Sequence, residues 1–248
     1  MAHPLTVAIH QPNYFPWLGY FYKIYAADVF VFLDDVQYTR RSPTARTDII
    51  KRHGEKFRHC LSVPLLSHGY YENINNLKIH SSKGWQRKHL ETIRHTYSST
   101  PHFQEYFPQA STWISDADKF DFLSDYNIYL IKSILEILKI NKPAYKSSQL
   151  SVKGHKSEYI ISLVKHLGGT TYLSGTGARK YQREDDFSRR GIQLVYSDFG
   201  DWLEKHPYPQ FQGTEFVNGL SIVDALFNAG AEGVMEMFER YDKSERGK

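Results

Sequence analysis

Thr6-Val7-Ala8-Ile9-His10-Gln11-Pro12-Asn13-Tyr14-Phe15-Pro16-Trp17-Leu18-Gly19-Tyr20, together with the later run Val29-Phe30-Val31-Phe32-Leu33-Asp34-Asp35, decides the fold of this chain. An apolar run empties into polar and aromatic groups, a helix follows, and a second apolar run closes on an acid pair. This is a strand, helix, strand unit with chemistry at both strand ends, where open α/β sheets hold their ligands. His10 and Asp34 are the first catalytic candidates. Neighbouring strand residues point to opposite faces, so one member of the pair Asp34 and Asp35 is expected in the site.

Working outward, Thr39-Arg40-Arg41-Ser42-Pro43 is a basic loop broken by proline, and Arg46 is grouped with it. Phe57 to Pro64 and Ile74 to Ile79 alternate enough to predict strands. Helical spacing marks three segments, Trp85 to Tyr97, Phe103 to Ile114 and Phe120 to Ile140, the last stopped by Asn141-Lys142-Pro143. The α/β pattern then resumes: a helix over Lys156 to Leu167, a strand Thr170 to Ser174 ending on Gly175-Thr176-Gly177, a helix beginning near Ala178, and a strand Gly191 to Tyr196. Ser221 starts a last helix that ends near Gly230. The expectation is a single three-layer α/β domain over residues 1–240 with a mostly parallel sheet, a helical insertion at about 82–145, and a flexible charged tail at 241–248.

Composition narrows the function classes. The 248 residues carry 31 basic and 27 acidic groups for a formal charge of +4, too mild and too scattered to predict a nucleic-acid partner, while an anionic small ligand suits it. One cysteine, Cys60, excludes an internal disulfide and a cysteine-rich zinc site, as in a reducing compartment, and its apolar strand pattern predicts inert packing. No apolar run approaches the roughly 20 residues that span a bilayer, and Met1-Ala2-His3-Pro4 lacks signal-peptide character. A cytoplasmic protein without membrane insertion is expected. Twelve histidines include no H-x-x-x-H pair, so no metal site is predicted.

Several further positions carry chemistry. His10 can act as general base, since its ordinary pKa near 6.5 lets a neighbour set its state. Asp34 and Asp35 can orient it, bind an ammonium, or hold Mg²⁺ beside phosphate. Arg41 and Arg46 are guanidinium forks suited to pyrophosphate or carboxylate. His89 shares a helical face with Trp85 and Tyr97, either a sugar-stacking wall or a core edge. Ser174 lacks a G-x-S-x-G context, which favours ligand hydrogen bonding over covalent attack. His206-Pro207-Tyr208-Pro209-Gln210 is stiffened by its prolines and can present His206, Tyr208 and Gln210 as a wall, with His206 a third catalytic candidate. Gln11, Tyr14, Trp17, Gly175 and Tyr181 complete the binding candidates.

Ile9 through Tyr20, Asp28 through Tyr38, Trp85-Gln86-Arg87-Lys88-His89, Tyr172-Leu173-Ser174-Gly175, His206 through Gln210 and Leu220 through Asn228 together resemble the WbqC-like family of bacterial proteins, in the family's order and over nearly the whole chain. That resemblance implies a role among the proteins of O-antigen and other surface-polysaccharide biosynthesis, decorating amino sugars with glycine or another aminoacyl group. One departure lies in the basic loop, where the family carries asparagine with arginine and this chain has Ala45-Arg46: the amide donor is gone and the guanidinium remains. The loops Pro16 to Tyr20 and Ser174 to Arg179 are also placed like the phosphate-holding loops of HUP-like nucleotidyltransferases, although Trp17 and Tyr20 stand where those enzymes carry two histidines.

Three classes follow. The first is transfer of an acyl or aminoacyl group to the amine of a nucleotide-linked amino sugar, the donor being an adenylate made with ATP and Mg²⁺ or a thioester on an acyl carrier protein. The others are ATP-dependent nucleotidyl transfer or ligation, and noncatalytic binding of a sugar or nucleotide.

Overall fold

The computed structural model describes residues 4–51, 58–81, 84–210 and 215–246. Its centre is a parallel sheet of β1 (Thr6–His10), β2 (Val29–Phe32), β5 (Ala144–Lys146), β6 (Thr171–Gly175) and β7 (Gln193–Ser197), in the spatial order β5-β2-β1-β6-β7. Numbered by appearance among these five, the order is 3-2-1-4-5, a doubly wound arrangement whose direction reverses between β1 and β6.

Period-two alternation sends the strand residues to two cores. Val7, Ile9 and Val31 pack with Tyr159, Leu163, Val164 and Phe187 from α5 (Lys156–His166) and α6 (Glu184–Ser188). On the other face, Ala8, Phe30 and Phe32 meet α1 (Leu18–Ala26), α8 (Ile222–Arg246) and the helices α2 (Trp85–Tyr97), α3 (Phe103–Ser115) and α4 (Leu123–Ile137). Burial on both sides explains why the strands read as nearly unbroken apolar runs. A short helix, α7 (Phe199–Lys205), follows β7. An antiparallel hairpin of β3 (Arg46–Ile50) and β4 (Arg58–Ser62) stands apart from the sheet and buries Ile49, Ile50 and Leu61.

Several expectations are corrected. Ile74 to Ile79 is not a strand: Ile74–Asn76 forms a single 3₁₀ turn, in which Ile74 and Leu77, three apart, are both fully buried. Arg46 belongs to β3 and not to a loop. Cys60 on β4 is exposed, its Sγ 3.5 Å from Ser62 Oγ, and is no packing residue. The helix expected from Ala178 is a 3₁₀ segment, Thr176–Tyr181, with α6 beginning later. The helix that follows Ser221 does break at Gly230, as expected, since φ 71° and ψ 173° are not helical, and a second helical stretch of α8 runs on from there to Arg246; the imidazole of His102 sits 2.9 Å from where a Cβ on Gly230 would stand. Residues 241–246 of the expected tail are the last turns of that helix, with Tyr241 buried against Tyr22. Phe57, Ser82, Lys83 and residues 247–248 lie outside the described residues.

Candidate functional site

The sheet's switch point gathers groups from β1, α1 and β6. His10 closes β1 with its ring edge-on to Tyr20, centroids 4.8 Å apart. Its Nδ1 lies 3.2 Å from the Gln11 carbonyl, which can only accept, so Nδ1 carries the hydrogen and Nε2 is left as an acceptor. Burial, and next the charge of Lys23, push the His10 pKa down to about 3, so the imidazole is neutral.

Lys23 is the residue that the sequence reading missed. It lies on α1, is 4 % exposed, and has no carboxylate partner among the described residues. Burial alone lowers its pKa to about 7. Its Nζ would stand 4.0 Å from a Cβ placed on Gly175, at the carboxyl end of β6. The buried hydroxyl of Tyr20, on the same helix, has no hydrogen-bond partner among the described residues. A dry amine poised between its charged and neutral forms, a neutral imidazole and an orphaned hydroxyl thus occupy the place where doubly wound sheets take their ligands. The faint signal in the sequence is that Lys23 is the one charged residue of the helix Leu-Gly-Tyr-Phe-Tyr-Lys-Ile-Tyr-Ala.

Beyond the strand ends opens a cleft of about 990 Å³, lined by Gln11, Asp35, Tyr71, Lys153, His155 and Lys156 among others. Asp35 faces it and Asp34 does not. The buried Asp34 carboxylate accepts from the Ser148 amide at 3.0 Å and the Ser148 hydroxyl at 2.8 Å, capping the turn after β5. It is a structural tie, and no described contact lets it orient His10. Asp35 accepts from Tyr159 Oη at 2.6 Å and Ser147 Oγ at 2.5 Å, yet a carboxylate has about four lone-pair sites, so capacity remains for a ligand. No group of three or more metal-ligating side chains occurs among the described residues. Asp34 is spent on Ser147 and Ser148, so of the acid pair Asp35 alone keeps lone pairs that could hold Mg²⁺ beside a phosphate, and no step below runs through a metal.

A model of the WbqC-like protein family matches residues 11–236, from the first residue past β1 to the middle of α8. The chain belongs to the WbqC-like family. It is 30% identical over 229 residues to the Mycobacterium tuberculosis "Uncharacterized protein Rv1507c", covering 91% of this chain and 94% of that one. No solved structure matches. The match confirms the resemblance carried by the motifs, and it encloses the cleft, Lys23 and Gly175.

Other residues of this WbqC-like chain singled out from sequence lie in separate surroundings. Tyr14 and His89 are buried together, Oη to Nδ1 at 2.9 Å, with Trp85 and Tyr126 around them, and burial drives the His89 pKa down to about 4. This is the core edge, not a sugar wall. The Trp17 indole lies flat over Gly19, where an added Cβ would come within 2.2 Å of its ring. The Ser174 hydroxyl donates to Gln182 at 2.9 Å. Arg41 is exposed with φ 61°, Arg46 approaches Tyr38 from β3, and Tyr181 is exposed under the Lys180 ammonium.

The proline-stiffened segment is likewise not joined to the switch point by any described contact. His206 stacks on Trp202 with centroids 4.6 Å apart, and no described contact joins it to His10. Tyr208 and Gln210 reach Asp224 Oδ2 at 2.7 and 3.2 Å, while Tyr97 donates to Oδ1 at 2.8 Å. Even with these donors, burial raises the Asp224 pKa to about 6. The cluster braces α8 against the hairpin, since Tyr97 also accepts from the Ile50 amide at 3.2 Å.

Proposed function

We propose that this chain is a transferase that places an acyl or aminoacyl group, such as glycyl, on the amine of a nucleotide-linked amino sugar in surface-polysaccharide (O-antigen) biosynthesis. The observation that carries this reading is the buried Lys23 amine, without a carboxylate partner among the described residues, beside neutral His10 at the switch point of a parallel sheet. Amine acylation needs the substrate ammonium to lose a proton before its nitrogen can attack. A base works best with a pKa near the working pH, which Lys23 meets and His10, at about 3, does not. Lys23 therefore takes the role of base first expected of His10, and His10 Nε2 serves as a hydrogen-bond acceptor that orients the amine. Lys23 takes the first proton from the ammonium; as the C–N bond forms at the acyl carbonyl and the bond to the donor's leaving group breaks, the second proton of the attacking nitrogen passes to the departing group or to solvent. The donor is an adenylate or a carrier-bound thioester. Lys153 and Lys156, with no ion pair among the described residues, supply the charge for a diphosphate.

The test is purified protein incubated with ATP, an amino acid and a panel of nucleotide-linked amino sugars, read by mass spectrometry. An added aminoacyl mass that disappears in Lys23→Met and in His10→Ala, both folded by circular dichroism, supports the reading. Product formation unchanged in Lys23→Met removes it. Pyrophosphate release without acylated product supports nucleotidyl transfer instead, for which the glycine turn at Gly175 and Gly177 is the favouring feature.

A further inference from the structure

Among the described residues, Leu66, Tyr70, Tyr71, Tyr145 and Tyr181 are the large apolar side chains left exposed, and of these Tyr71 lines the cleft. Tyr70 and Tyr71 are adjacent, 75 % and 79 % exposed, with rings edge to face and centroids 4.9 Å apart. Fixing two aromatic rings in water on a polar loop gains the fold almost nothing, so their placement calls for another account.

The loop that carries them is tied down. Tyr38 N donates to Glu72 O at 2.8 Å, Ile74 N to Val36 O at 3.0 Å, and Gln37 Nε2 to Tyr70 O at 3.3 Å. Each tie runs to the segment just past β2, the same segment that places Asp35 in the cleft. The Tyr71 ring is thus held in register with the acidic floor. Lys153 and Lys156 line the same cleft with positive charge, and Asp35 is the one carboxylate among the described residues of its lining. The volume, about 990 Å³, matches a ligand of nucleotide size.

We propose that Tyr71, buttressed by Tyr70, is the stacking platform for the nucleobase of a nucleoside diphosphate. The diphosphate lies along Lys153 and Lys156, and the linked sugar passes Asp35 and Gln11 with its amine directed on toward His10 and Lys23 at the strand ends. The assignment rests on the transferase reading and adds to it the orientation of the ligand: base at the mouth, amine at the strand ends. An exposed aromatic ring accepts any base, since every base has a π face, and selectivity among bases comes from neighbouring polar groups such as Gln37 and Asn73.

Titration calorimetry of the full chain with UDP, GDP, CDP, dTDP and inorganic pyrophosphate tests this. Wild-type protein is expected to bind at least one nucleoside diphosphate more tightly than pyrophosphate. Tyr71→Ala should weaken that nucleotide by about five- to hundredfold, with pyrophosphate unchanged and Tyr71→Phe close to wild type. Lys153→Ala combined with Lys156→Ala should weaken both ligands. Nucleotide binding by Tyr71→Ala at wild-type strength overturns the platform and leaves the transferase reading standing. Failure of the wild type to bind any nucleoside diphosphate overturns both.

Discussion

Replacing Lys23 by methionine should make the protein more stable and inactive, by an amount that depends on pH. Methionine keeps the methylene stem that packs on α1 and removes the amine. Burial moves the lysine from its ordinary 10.5 to about 7, and at 1.36 kcal/mol for each tenfold change in proton affinity the folded state is penalised by up to about 5 kcal/mol. The folded-state value lies below the unfolded one. At pH below about 7 both states hold the proton and the penalty is complete; above it the unfolded chain keeps a proton that the folded chain has shed, so stability climbs with pH toward 10.5. Urea midpoints at pH 6, 7.5 and 9, with constant m-values, read this directly. The variant should lead wild type by up to about 5 kcal/mol at pH 6, and by about 2 kcal/mol at pH 9. A lead that does not change with pH, or a variant weaker than wild type at pH 6, would refute the picture of a dry, unpaired amine.

Two other variants probe the packing. Gly19→Ala should cost about 1–3 kcal/mol despite alanine's better helix propensity, because the new Cβ meets the Trp17 indole at 2.2 Å; thermal melts of Gly19→Ala, Trp17→Ala and the double variant should show strong non-additivity, and a higher Tm for Gly19→Ala alone would contradict the contact. Tyr208→Phe removes a 2.7 Å donor to Asp224, and should cost about 1.5–3 kcal/mol at pH 7. The Asp224 carboxyl has a folded pKa above its unfolded one, so stability already falls as pH rises from about 4 to about 6; the variant should push that fall to higher pH, and an unchanged pH profile of the urea midpoint would count against it.

The sheet was legible because parallel strands covered on both faces read as apolar runs, which is why β1, β2, β6 and β7 could be placed from residues alone. β5 was not, since three residues at the sheet edge, Ala144-Tyr145-Lys146, carry no such run. β3 was read as a loop because Arg46, Thr47 and Asp48 are partly exposed on a hairpin, while Ile74 and Leu77 mimicked a strand by being apolar in a polar stretch. At the site, His10, Gly175 and the divergent fates of Asp34 and Asp35 follow from strand ends and alternation. Lys23 did not, because a lysine in an apolar helix is ordinarily a snorkelling surface residue, and only the packing of α1 beneath β6 denies it water. The partner of Tyr208 and Gln210 was hidden for a related reason: stiffness was visible, but the carboxylate that they face lies on α8, out of reach of any local pattern.

Gly175 has φ −87° and ψ 150°, an extended geometry that any residue adopts, so the backbone there makes no demand for glycine. What the position supplies is a missing side chain above Lys23 Nζ. An alanine would fit without collision, its Cβ 4.0 Å from the amine, and would stiffen the unfolded chain's alternatives enough to favour the native state slightly. It would also roof over the amine. On the proposed transferase reading the residue is in effect an unglazed window, its missing side chain leaving the space above the amine to a reactant at a small loss of rigidity.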